Sequence, residues 1–360
     1  MKRQNYRFNH LKNKKTILVA PIHWGLGHAT RCIPVIKALL ENRYNVVIAS
    51  DGGALQLLRK EFPNLKSIEL PSYNITYPKK GTHFKWNMLL KLPRFLKVIS
   101  SEKKLIEKLV SEGKIDGIIS DNRFGVRSNK IPSVYITHQL NVFSGSTSNF
   151  SSKIHQNIIR KFDECWVPDL EGKENLSGKL GHIKNTFFPL RYLGVLSRMK
   201  KVDLPIKYDI LITLSGPEPQ RTLLEEKLIQ ELNGENKKVL LVQGLVNSNQ
   251  EVKQQENITL CNYMTSTELE QAINESEVVV SRSGYTTIMD LATLEKKAYF
   301  IPTPGQYEQE YLAKRLKKLK LAPFCKQEDF TIDKLKEVDL YEGLKSNLQT
   351  TNYNELFCLF

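Results

Sequence analysis

VVSRSGYTTIMDLATLEKKAYFIPTPGQYEQEYL, residues 279–312, decides how the chain is read. The apolar run of Val278, Val279 and Val280 predicts a strand, and Ser281-Arg282-Ser283-Gly284 is a small-residue turn leading into a helix that carries Asp290. A second apolar run, residues 298–302, enters a Pro/Gly turn, and Glu308-Gln309 opens another helix. Strand, turn and helix start together make an anion site, because free N–H groups and the positive end of the helix dipole converge on one point. An acid on the following turns can accept hydrogen bonds from sugar hydroxyls, as the ribose-binding acid of dinucleotide folds does. The combination suits a nucleotide diphosphate held without a metal cage.

A second motif lies near the start. Ile17-Leu18-Val19-Ala20 predicts a strand, followed by Pro21-Ile22-His23-Trp24-Gly25-Leu26-Gly27-His28-Ala29-Thr30-Arg31-Cys32. Ile33, Ile36, Leu39 and Leu40 then recur at helical spacing, and residues 46–49 predict the next strand. Gly25 and Gly27 let a ligand approach the backbone, and His28 stands at the helix start, in the crevice position of an open parallel sheet. A neutral imidazole there can take a proton from an attacking hydroxyl, which makes His28 the catalytic candidate. Arg31, three residues on, is a candidate for an anionic acceptor, and Asp121, at the end of a later strand, is the reserve base.

In this order the two motifs resemble GT-B glycosyltransferases, and most closely family 28, whose members include lipid-II-forming N-acetylglucosaminyltransferases. That family's Ser-Arg-Ala-Gly-Ala-x-Thr-x-x-Glu stands here as residues 281–290, with Asp290 for the glutamate, and its Pro…Asp-x-Gln as Pro302…Glu308-Gln309. The resemblance implies donor contacts from Arg282, Ser283, Gly284, Thr287, Asp290, Glu308 and Gln309. It implies further donor contacts from Ser215 and Gly216, where the family has a glycine-rich loop, from Met264 beside Tyr263, where the nucleobase edge is read, and from Arg191, in place of the family's Pro-Val-Arg arginine. His138-Gln139, standing near the family's His-Glu-Gln-Asn loop, are implied on the acceptor side with Gly25, Gly27 and Arg31. The implied reaction is inverting transfer from a UDP-linked sugar to a hydroxyl or lipid-linked acceptor, with no metal and no cofactor beyond the nucleotide sugar. The Gly-Leu-Gly-His-Ala-Thr-Arg string also resembles a nucleotide-sugar hydrolase of pseudaminic acid synthesis, so hydrolysis by water in the same cleft is the alternative.

A chain of 360 residues suits two domains. Two strand–helix series predict two Rossmann-like parallel sheets facing across a cleft, the GT-B architecture, with strands near 17–20, 46–50, 66–70, 117–120, 133–137 and 164–167, then near 209–214, 238–242, 258–261, 277–281 and 298–301. The expected division is an acceptor-side domain over 1–195, a linker near 190–207, a donor domain over 205–340, and a tail over 341–360 that by resemblance returns to the first domain. Residues 1–200 hold 34 Lys+Arg against 14 Asp+Glu, a balance of +20, whereas 201–360 hold 19 against 24, or −5. A basic first half suits an anionic surface. Residues 82–108 interleave Phe84, Trp86, Leu89, Leu90, Leu92, Phe95 and Leu96 with lysines, which reads as an interfacial membrane segment divided by Pro93. A pI near 9.4 also suits a nucleic-acid binder, but no recognised nucleic-acid module accompanies it. Five scattered cysteines without paired spacing predict neither a disulfide framework nor a zinc site. The expected location is the cytoplasm, with peripheral attachment to the inner face of the plasma membrane.

Overall fold

Continuous apolar runs become strands buried on both faces, as parallel sheets covered by helices require. In the computed structural model, which describes residues 14–74, 92–216, 218–245, 249–345 and 351–360, two such sheets form. The first contains β1 (Thr16–Pro21), β2 (Asn45–Ser50), β3 (Lys66–Glu69), β4 (Gly117–Asp121), β5 (Ser133–Ile136), β6 (Glu164–Val167) and β7 (Leu190–Tyr192), all parallel in the order β3-β2-β1-β4-β5-β6-β7. The second contains β8 (Tyr208–Thr213), β9 (Val239–Val242), β10 (Val252–Gln255), β11 (Ile258–Cys261), β12 (Ser276–Ser281) and β13 (Lys297–Phe300) in the order β10-β11-β9-β8-β12-β13. Setting aside the antiparallel edge strand β10, both sheets share one winding: the first strand lies centrally and the order reverses beside it. This is the expected GT-B architecture of two parallel α/β domains. Each reversal opens a crevice at the carboxyl ends of the strands, between β1 and β4 in one domain and between β8 and β12 in the other.

The helices are α1 (Gly27–Glu41), α2 (Gly52–Glu61), α3 (Leu92–Ser111), α4 (Ser148–Ile159), α5 (Gln220–Leu232), α6 (Ser266–Asn274), α7 (Tyr285–Thr293), α8 (Tyr307–Lys318) and α9 (Tyr353–Phe357). α1 buries Ala29, Cys32, Ile33, Val35, Ile36 and Leu39, the face its periodicity predicts. One buried apolar cluster runs from these side chains to Tyr285, Ile288 and Met289 of α7, so the two domains share a core seam. Lys60 of α2 meets the Tyr263 ring at 3.9 Å across the same boundary, and Thr286 Oγ1 donates to the Gly27 carbonyl at 3.1 Å.

Two local expectations change. Leu190–Tyr192, at the start of the expected linker, pairs with β6 as a seventh strand; three residues are too few to show a period. Val252–Gln255 is an exposed strand whose polar sequence resembles a loop, and it is held by antiparallel pairing with β11. Pro93 is the second described residue of α3, so the division expected there falls at the edge of the described residues. The part of the 82–108 segment before α3, residues 82–91 with Trp86 among them, lies outside the described residues.

The tail packs on the first domain. Phe357 of α9 meets Tyr44 edge-on at 5.8 Å and lies 6.4 Å from Trp166, while Lys15 Nζ donates to the Phe360 carbonyl at 2.8 Å. A Cβ on Gly117 would stand 2.4 Å from the Phe360 ring, so only glycine lets the tail lie this close to β4. Phe357→Ala is expected to destabilise the first domain by roughly 3 kcal/mol through the cavity left against Trp166. Urea denaturation followed by tryptophan fluorescence measures this, and an unchanged midpoint would mean that the tail adds nothing.

Candidate active site

Pro21 and Asp121 pair across the first crevice, at the carboxyl ends of β1 and β4. After β1 the chain turns through Gly25, whose φ of +79° favours glycine, and starts α1 at Gly27. His28 and Arg31, three residues apart, lie on one face of α1 and point at Asp121. His28 Nδ1 lies 2.8 Å from Asp121 Oδ1, and the Arg31 fork grips both carboxylate oxygens through Nε and Nη2. Arg31 and Asp121 side chains are 1% and 0% exposed, so this is a charge pair inside the protein. Burial alone would raise the Asp121 carboxyl, but the Arg31 and His28 charges and hydrogen bonds hold it well below the usual carboxylate range. Burial and the adjacent guanidinium lower the His28 imidazole from 6.5, which keeps it neutral near pH 7. Nδ1 also lies 2.7 Å from the Arg31 Nη2 donor, so carboxylate and guanidinium meet at one ring nitrogen, and a base role for the ring needs the tautomer whose Nδ1 proton the carboxylate accepts. Nε2 takes no hydrogen bond among the described residues.

The cluster continues into the second domain. Arg31 Nη1 donates to His138 Nδ1 at 2.8 Å, so Nε2 carries the His138 proton and donates to Glu308 Oε1 at 2.6 Å. Gln139 Nε2 donates to the other Glu308 oxygen. The His138 ring stacks on Tyr285, the first residue of α7, at 4.5 Å and 10°. Burial would raise the Glu308 carboxyl, but the His138 contact holds it below its usual value. Asp121, Arg31, His138 and Glu308 thus form one continuous polar chain from β4 to α8.

Among the expected donor residues, Ser215 and Gly216 follow β8 and Ser283 and Gly284 follow β12, so they flank the second crevice. Gly284 caps α7 with extended backbone, and the first-turn amides through Thr287 lie beyond it. Ser283 is buried and its hydroxyl donates to the Gln309 carbonyl at 2.8 Å, while the Gln309 side chain accepts from Thr303 N at 2.8 Å. Gln309 therefore shapes the Pro302 turn. Met264 lies half-buried against the shared core seam.

Three expected donor residues are placed otherwise. Arg282 turns inward, donating to the carbonyls of Ile301, Pro302 and Gln220 and to Gln327, a set of acceptors brought together only by the fold. Asp290 is buried and accepts from Ser197 Oγ of the linker at 2.6 Å, because its place on α7 faces the domain junction. Burial raises its carboxyl. Arg191, on the β7 edge, pairs with Glu164 at 3.0 Å and with Glu355 of the tail at 3.3 Å.

Sequence reasoning missed the layer beneath the first crevice. Arg123 is fully buried and bonds Asp51, Glu102 (2.7 Å) and the carbonyls of Pro21 (3.1 Å) and Pro71 (3.2 Å). Tyr73 completes the layer with a 2.8 Å bond to Glu102. It ties the ends of β1, β2 and β4 together under His28. Asn122, at φ +58°, turns the chain after Asp121 and donates to Asp121 Oδ1 at 3.2 Å. The signal was an Asp-Asn-Arg run directly after a strand, of which only the first residue drew a reading.

Residues 219–355 match the glycosyltransferase family 28 C-terminal domain. Over 168 residues the chain is 27% identical to the UDP-N-acetylglucosamine–N-acetylmuramyl-(pentapeptide) pyrophosphoryl-undecaprenol N-acetylglucosamine transferase of a Sulfurihydrogenibium species, covering 46% of this chain and 47% of that protein, about half its length. Among solved structures, the glycotransferase of kitacinnamycin superposes with a TM-score of 0.62 at 13% identity, covering 90% of this chain and 89% of the other. The Acinetobacter baumannii MurG structure superposes with a TM-score of 0.53 at 16% identity, covering 91% and 92%. The paired parallel sheets are those of the GT-B fold, and the second half of the chain carries the glycosyltransferase family 28 C-terminal domain.

Proposed function

We propose that the chain transfers a sugar from a UDP-linked donor to an acceptor hydroxyl with inversion, and that His28 is the base. The observation that carries this reading is the buried Arg31–Asp121 pair holding a neutral His28 at one crevice, opposite the Gly284 start of α7 at the other. The acceptor O–H proton passes to His28 Nε2, and Asp121 stabilises the imidazolium that forms. The freed oxygen attacks the anomeric carbon from the face opposite the diphosphate, the bond from that carbon to the diphosphate oxygen breaks, and the configuration inverts. Charge growing on the departing diphosphate meets the first-turn amides and dipole of α7, which serve without a metal. Glu308, which now bonds His138 and Gln139, is the acid offered to the donor sugar's hydroxyls.

A lipid-linked acceptor on an anionic membrane fits the surface. Leu92 and Leu96, one turn apart at the start of α3, are 52% and 59% exposed, whereas Phe95 between them packs on Tyr73 at 5.6 Å. Arg94 and Lys97 flank the two leucines in a half of the chain carrying +20. No helix among the described residues is long and apolar enough to cross a membrane.

Three outcomes are expected. His28→Ala should lower kcat by about 10²–10⁴ while sparing UDP affinity measured by calorimetry. Because the His28 imidazole is lowered from 6.5, the wild-type rate should hold through that value and fall only at more acidic pH. A rate that already falls above pH 6.5, or an active alanine variant, would remove His28 from the role.

Asp121→Asn strands the buried Arg31 charge and should cost about 3–5 kcal/mol of stability. Since the folded Asp121 carboxyl lies below its unfolded value of 3.8, its contribution is present above that pH and is lost as pH falls further. Denaturation at pH 7 and at pH 3 would show the gap between wild type and variant narrowing in acid; a constant gap would contradict the assigned charge pair.

The protein should sediment with anionic liposomes at low salt, less with neutral ones, and detach as salt rises. Leu92→Ser with Leu96→Ser should weaken that binding without changing UDP affinity. Indifference of the wild type to anionic vesicles would favour a water-soluble acceptor.

A further inference from the structure

One face of α8 carries Glu308, Tyr311 and Arg315, spaced i, i+3 and i+7, and all three touch the first domain. Glu308 belongs to the catalytic cluster; Arg315 lies about 10 Å further along the helix axis, at 1.5 Å per residue. There a cavity of ≈ 490 Å³ opens between the domains, lined by Glu171, Lys173, Asn175, Lys179, His182 and Arg315 together with Gly172 and Gly178.

Its lining is built for negative charge. Lys173, Lys179 and Arg315 against Glu171 give three cations minus one anion, or +2 with His182 left out of the count. Lys173 and Lys179 are exposed and take no ion pair among the described residues. Arg315 Nη2 donates to the Asn175 carbonyl at 2.9 Å and to its side-chain oxygen at 3.2 Å, but the buried Nε has no partner. A buried N–H without an acceptor is a cost that an anion can remove. Both ring nitrogens of His182 face carbonyl oxygens, Gly178 at 3.0 Å and Leu170 at 2.9 Å, so the ring braces the loop. Gly178 stands at φ +57°, and a Cβ there would fall 2.4 Å from the Tyr311 hydroxyl and 2.9 Å from Arg315 Nε. Glycine at this position lets the loop close onto α8.

We propose that this cavity is a second anion site that takes a dianionic phosphate group, and that the bound phosphate joins the two domains because Lys173 and Lys179 come from one and Arg315 from the other. The group is either free phosphate or a phosphate carried by the acceptor, and the chemistry of recognition is the same for both. The site is separate from the leaving-diphosphate site at α7, so it does not depend on the transfer reading.

Inorganic phosphate titrated into the full chain should bind saturably by calorimetry and raise the thermal midpoint. Lys173→Ala with Lys179→Ala, both exposed and outside the catalytic cluster, should weaken that binding by about tenfold or more, the loss expected for charge-assisted hydrogen bonds. Arg315→Gln should act in the same direction. Absence of saturable binding, or equal affinity in the double-lysine variant, overturns the site whether or not the chain transfers sugar. Phosphate inhibition of turnover that competes with acceptor assigns the cavity to the acceptor's own phosphate; binding without such competition assigns it to the free anion, and either result upholds the site.

Discussion

The Arg31–Asp121 pair is the constraint on which the rest of the site hangs. Two opposite charges with almost no exposure are tolerable only while both are present and their remaining hydrogen-bonding capacity is used. Here it is used fully: Asp121 also receives His28 and Asn122, and Arg31 also reaches His138. The pair fixes α1 to the end of β4 and thereby fixes the imidazole ring. Burial and the Arg31 charge lower His28 against the pull of Asp121, and the guanidinium contact at Nδ1 fixes the His138 tautomer that donates to Glu308.

The same pair couples chemistry to the meeting of the domains. Glu308 is carried on α8 of the second sheet, while His138 and Gln139 lie beyond β5 of the first. When the two crevices face one another, one polar chain spans the cleft, and the α1–α7 seam with the Tyr285–His138 stack packs beside it. Because both domains use the same strand order, both crevices open at carboxyl strand ends and present helix starts toward a shared space. A neutral imidazole on one side and a helix start with free amides on the other match the division of labour of the proposed glycosyl transfer.

The layer of Arg123, Asp51, Glu102 and Tyr73 below the site holds this arrangement rigid. Burial raises the Glu102 carboxyl against the pull of Arg123, so the layer is itself a balance between desolvation and pairing. Asp51 also meets His23 of the β1–α1 loop at 3.6 Å, so the layer reaches the crevice loop as it aligns the strand ends beside His28 and Asp121.

By itself the sequence determined the two sheets, the glycine-marked helix starts and the facing positions of His28, Asp121 and Ser283-Gly284. Apolar runs, helical periods and turn residues are local signals, and the topological switch point follows from strand order. It could not determine where long or buried polar side chains spend their hydrogen bonds. Arg282 follows a strand in a donor motif, but three carbonyls from distant segments claim it; Asp290 faces the linker; Arg191 answers Glu164 and the tail. Arg31 and His138 drew readings as separate acceptor contacts, and only folding made them one chain with Asp121 and Glu308. Such partners are 90 to 170 residues apart in sequence, and their pairing is decided by which charges lose water together, a property of tertiary structure alone.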